Sequence, residues 1–143
     1  MTTLSPAAGR TGAGRFLLGM AAYIVPTFAL GYGWHLVWFE PSYARLGIYR
    51  PDPIIPFGLG SMIIQAALFA WLYPRAFGHG GDAVRDGLRF GAFIGLLAWS
   101  FTTLAVAAKY PMASIGDYVM LETGFTLVQS LLAGLLMAWV HRN

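Results

Sequence analysis

The sequence predicts an all-α fold, an integral membrane four-helix bundle running up-down-up-down. Three observations lead there. Four apolar stretches, residues 16–39, 54–73, 88–108 and 118–140, occupy most of the 143 residues. A helix rises about 1.5 Å per residue, so roughly 20 residues cross a hydrocarbon core of ~30 Å. The chain is 57% hydrophobic and 10% charged, with a mean hydropathy of +0.62; soluble domains carry about 25% charged residues. Finally, the links between the stretches are short, which makes sequential neighbours antiparallel. Backbone polar groups have no water partner in lipid, so each stretch must satisfy its own and become a helix.

Residues 1–15 are rich in Ala, Gly and Thr and read as a mobile cytoplasmic tail; residues 16–143 read as one four-span domain. Arg10 and Arg15 before an apolar run resemble a signal peptide. The run is too long for an h-region, and no clear Ala-x-Ala site follows, so a retained first span is expected. Pro26 is expected to kink that span, with Gly31 and Gly33 loosening the turn beyond it. Trp34, Trp38, Phe39, Tyr43 and Tyr49 follow, and Tyr73, Tyr110 and Tyr118 flank the other spans, as in an interfacial aromatic belt.

The segment 40–53 contains Pro41, Pro51 and Pro53 and reads as ordered turn with one helical turn near Tyr43–Gly47. Residues 75–86 form a Gly-rich loop on the opposite side, and 109–117 a short link containing Pro111. Arg10, Arg15, Arg75, Arg85, Arg89 and Arg142 fall on one side; Arg45, Arg50 and Lys109 fall on the other. The positive-inside rule then places both termini in the cytoplasm. The basic residues are few and scattered, without a stripe, so the net charge of +3 does not indicate nucleic-acid binding.

A weak repeat at an offset of 64 residues pairs Gly31 with Gly95, Gly60 with Gly124, Gln65 with Gln129 and Leu68 with Leu132. Read as a duplication, it makes two like hairpins related about the membrane normal. The abundance of Gly, Ala and Leu makes chance the alternative.

Polar residues in lipid face protein or water. Glu122, Thr126 and Gln129 share one face of span four; Ser61 and Gln65 pair in span two, and Ser100 and Thr103 in span three. These stripes serve either helix packing or a polar pocket. Gly87, Gly91 and Gly95 form two overlapping GxxxG units that admit a close helix, from a neighbouring span or a second subunit.

The candidate pocket comprises His35, Trp38, Glu40, Arg45, Gln65, Lys109, Glu122 and Gln129, with Trp34 beside them. Glu122 is its centre. A carboxylate a turn inside a span needs a proton or a cation, and His35, Lys109 and Arg45 are the candidates. The bland alternative is a set of ordinary interfacial charges, some snorkelling.

Other chemistry finds little support. The chain contains no cysteine, which removes thiolate ligands, disulfides and cysteine nucleophiles. His35 and His141 lie near opposite faces and cannot share a haem, and His79-x-x-Asp82 is too short to define a metal site. The glycines lack phosphate-loop spacing, and no Ser-His-Asp arrangement can be read. No cofactor and no metal are expected, and enzymatic activity is disfavoured, although His35 and Glu122 would form an acid/base pair if they met.

The run WHLVWFEPSYARLGIYRPDPIIPFG, a Gln-bearing span ending YPRAFG, the third span GLRFGAFIGLLAWSF and the link AKYPMASIGDY resemble small bacterial four-span integral membrane proteins with no assigned activity. The likeness extends over most of residues 16–140 and implies the fold and a bacterial inner-membrane location, without catalytic residues to carry over. The leading expectation is a protein that binds a membrane lipid or amphipathic small molecule in an outer-leaflet polar pocket. The alternatives are an accessory subunit acting through helix packing, as a homo-oligomer or with a membrane partner protein, and a dimeric small transporter coupled through Glu122.

Overall fold

The computed structural model describes residues 7–79 and 81–142, with side chains from residue 12 onward. Residues 1–6 of the expected tail, and Gly80 of the Gly-rich loop, lie outside the described residues. Helix α1 (Ala7–Gly33) continues through a wide π turn, Trp34–Trp38, and the short α2 (Glu40–Leu46) follows. Then come α3 (Ile55–Ala76), α4 (Ala83–Trp99) with a second π turn at Ser100–Leu104 and a last turn α5 (Ala105–Ala107), and α6 (Ile115–His141). Four helical units are long and apolar enough to cross a membrane: Gly12–Trp38, Ile55–Ala76, Ala83–Ala107 and Ile115–His141. The chain is an all-α membrane bundle of alternating direction, and no strand occurs among the described residues.

The ends follow from local chemistry. Asp82 caps α4 by accepting from the Val84 and Arg85 amides at 3.0 and 3.1 Å, and Ser114 caps α6 by accepting from Asp117 N at 3.2 Å. Each cap draws helix start several residues ahead of the apolar stretch, into polar sequence that hydropathy alone assigns to loops. Pro41 and Pro56 sit in the first turns of α2 and α3, where a missing N–H costs nothing. Gly47, with φ of 76°, ends α2 in the left-handed conformation. The helical turn expected near Tyr43–Gly47 thus begins earlier, at Glu40.

α1 stays helical through Pro26. Its first wide turn lies further on and is closed by Phe39 N donating to Trp34 O at 3.1 Å.

Large apolar side chains face outward all round the bundle. Leu17, Val25, Ile64, Leu68, Leu96, Phe101 and Met120 are more than half exposed, as lipid-facing positions require. The interior holds small residues and rings. Phe90 is fully buried and meets Phe69, Tyr73 and Phe77 edge-on, with ring centroids 5.1–5.6 Å apart.

α4 and α6 form the most intimate pair, and glycine makes this possible. A Cβ at Gly91 would stand 2.6 Å from Ser130 O and 3.0 Å from Leu131 Cα; one at Gly87 would stand 2.8 Å from Gly134 O and 2.9 Å from Ala138 Cβ. Gly95 meets Ser130 in the same way. The face of Gly87, Gly91 and Gly95 is therefore occupied by the chain's own fourth span. α1 packs on both α3 and α6.

A second, smaller apolar cluster closes the end of the bundle opposite the termini. Tyr43 and Leu46 of α2 and Tyr118 of α6 are its buried members, with Trp34, Phe39, Ile48 and Val106 against them. The Ala113 amide donates to Leu46 O at 3.1 Å and ties the 109–114 link to the end of α2. This clamp holds α2 over the start of α6.

Candidate functional site

Glu122 lies two turns into α6 and is 7% exposed. Three elements converge on its Oε1. α2 supplies the Tyr43 hydroxyl, which donates at 2.9 Å. The chain after Gly47 supplies the Tyr49 hydroxyl, which donates at 3.2 Å. The π turn of α1 supplies His35, whose Nε2 stands 3.5 Å away.

The His35 ring is held on all sides. Its Nδ1 lies 3.0 Å from the Gly31 carbonyl one turn back. A carbonyl can only accept, so Nδ1 carries hydrogen. Nε2 therefore faces Glu122 either as an N–H donor or as a bare lone pair. Tyr43 stacks on the ring at 4.6 Å, and Phe125 meets it edge-on at 4.4 Å.

Oε1 thus has its donors. Glu122 Oε2 has no hydrogen-bond partner among the described residues. Glu122 lines a cleft of 290 Å³ whose walls include Tyr49, Tyr110 and Tyr118, with Ile48 and Val106 as apolar surface and Thr102 at the side. The Tyr118 hydroxyl donates to Thr102 O, 2.7 Å away in the second π turn, so that ring is fixed as a wall.

Tyr43 is buried and Tyr49 is 42% exposed, but desolvation of their hydroxyls raises the ionisation of both above the usual tyrosine range near 10, and the adjacent Glu122 charge adds to the effect. Tyr43 and Tyr49 therefore remain neutral donors at any physiological pH. Trp34 packs on Phe39 at 4.6 Å and on Phe125 at 5.9 Å.

The eight residues of the expected pocket separate into three groups. His35 and Glu122 meet. Gln65 and Gln129 form a different site, further along the bundle: the Tyr23 hydroxyl donates to Gln65 Oε1 at 2.5 Å and accepts from Gln129 Nε2 at 3.3 Å. Two turns of α6 separate Gln129 from Glu122, about 10 Å along the axis at 1.5 Å per residue. Trp38, Glu40, Arg45 and Lys109 join neither cluster. Trp38 is 63% exposed and lies against Gly33; Glu40 and Lys109 are exposed; and exposed Arg45 contacts Ser42 at 3.2 Å. Among the described residues, the basic side chain facing Glu122 is His35, and neither Arg45 nor Lys109 pairs with it.

Sequence reasoning missed Tyr43 and Tyr49 as partners of Glu122, and Tyr23 as the group joining the two glutamines. The only signal for the first two was the ordered, Pro-rich character of segment 40–53, which marks a loop built to hold a shape. Tyr23 carried no signal beyond being a hydroxyl in an apolar span.

No protein-family model matches this sequence, and comparison with curated proteins and with solved structures yields no match.

Proposed function

We propose that this is a small inner-membrane protein, with both termini cytoplasmic, that binds a lipid or other amphipathic molecule at the cleft over Glu122. The observation that carries the reading is the free Oε2 of a carboxylate 7% exposed at the bottom of a cleft. Removing such a group from water is costly, and its second oxygen, which is not among the fully buried side-chain atoms, is left open to the cleft. As an acceptor for the two tyrosyl hydroxyls alone, a glutamine would serve without bringing a carboxylate into the span. The mix of tyrosyl and aliphatic walls with one polar anchor is the ordinary make-up of a small-molecule site.

The accessory-subunit reading loses its main support, because the glycine face is filled by α6 within the chain. The dimeric transporter keeps one supporting observation, the approach of His35 Nε2 to Glu122 Oε1 at 3.5 Å.

Intact-mass analysis of protein purified in gentle detergent tests the binding reading. A discrete non-covalent adduct is expected on the wild type and is lost in Glu122→Ala. A protein that carries no displaceable ligand, with Glu122→Ala indistinguishable from it, contradicts the reading.

A further inference from the structure

We infer that the ligand taken at this cleft bears a protonated amine; the inference rests on the binding reading above and specifies its headgroup. Oε2 of Glu122 accepts from no described residue and is not fully buried, so a group entering the cleft gains by donating to it. The cleft lining contains no lysine, arginine or histidine, so an anionic headgroup would find no counter-charge. The walls instead present the rings of Tyr49, Tyr110 and Tyr118, whose π faces attract cations.

A hydroxyl donor would satisfy Oε2 but gain little from the rings. A quaternary ammonium would gain from the rings but could not donate to Oε2. An ammonium N–H does both, and charge-assisted hydrogen bonds are roughly twice as strong as neutral ones. His35 stands on the other oxygen, so the ligand and the imidazole do not compete for the same lone pairs. Ile48 and Val106 offer the apolar surface for the first carbons of an alkyl chain.

The test uses the full chain in lipid nanodiscs and native mass spectrometry with four probes of one chain length: dodecylamine, dodecyltrimethylammonium, dodecanol and dodecyl sulfate. Dodecylamine should be retained at least tenfold more than dodecanol and several-fold more than the quaternary probe, with dodecyl sulfate weakest. Glu122→Gln should reduce the amine-over-alcohol preference at least tenfold. Tyr110, 57% exposed at the rim, supplies a variant with little risk to folding: Tyr110→Leu should lower amine retention several-fold and leave dodecanol unchanged. Equal retention of amine and alcohol, preference for the sulfate, or a preference unchanged in Glu122→Gln overturns the amine assignment while leaving amphipath binding intact. Retention of none of the four overturns both.

Discussion

His35 Nε2 stands 3.5 Å from Glu122 Oε1, while the other ring nitrogen is committed to the Gly31 carbonyl. His35 lies within the first π turn, and such turns recur at functional sites. Replacing Glu122 by alanine removes the acceptor of both tyrosyl hydroxyls and the carboxylate that faces His35. The expected loss of stability is about 1–3 kcal/mol, with Glu122→Gln losing less because an amide oxygen still accepts. Thermal unfolding in detergent measures it; equal stability of Glu122→Ala and wild type would show that the converging donors contribute nothing.

The glycines of α4 yield a sharper contrast. Gly91→Ala drives a Cβ toward Ser130 O at 2.6 Å, so the α4–α6 crossing must open. Overpacking of this kind costs about 1–3 kcal/mol. Gly60→Ala in α3 has nothing within 4 Å of its added methyl and should stabilise by about 0.5–1 kcal/mol through helix propensity. Unfolding midpoints of the two variants should move in opposite directions. A parallel shift would disprove the close α4–α6 packing.

Tyr23, Gln65 and Gln129 should behave as one coupled unit. A double-mutant cycle between Tyr23→Phe and Gln129→Leu should give a coupling of about 0.6 kcal/mol, the average for polar contacts inside membranes. The same pair tested against Glu122→Gln should be additive, because the two polar clusters are two turns apart. Strong coupling between Gln129 and Glu122 would merge them into one site.

Alkaline pH acts through Tyr43 and Tyr49. Their ionisation is raised by folding, so the folded state holds these protons more tightly than the unfolded chain. Their contribution is fully present below about pH 10 and declines as pH rises above it. Spectrophotometric titration should show tyrosines resisting ionisation until the protein unfolds, and Tyr43→Phe with Tyr49→Phe should remove that fraction. Complete tyrosine titration near pH 10 in folded protein would contradict the buried arrangement.

The spans were legible because lipid leaves a helix one solution: about 20 apolar residues in sequence. Their ends were less so. The caps at Asp82 and Ser114 start α4 and α6 within polar sequence. Glu122 was legible as an expensive charge in a span. Its partners were not, since Tyr43 is 79 residues away and reaches it through a loop clamp that no local pattern encodes. The two glutamines looked like neighbours of Glu122 because they are polar, whereas helix rise carries them to another depth. Arg45 and Lys109 looked like its counter-charges, but cations at an interface can reach water, and these two remain exposed.

The claim at the centre is that the cleft over Glu122 holds a small molecule in the intact membrane. A photoreactive residue at Val106, in the cleft wall, tests this most directly when set against one at Leu96, which is 69% exposed on the outer surface. A single low-mass adduct is expected at Val106 that vanishes with Glu122→Gln and is absent at Leu96. No adduct at Val106, or the same spread of bulk lipid at both positions, would contradict it.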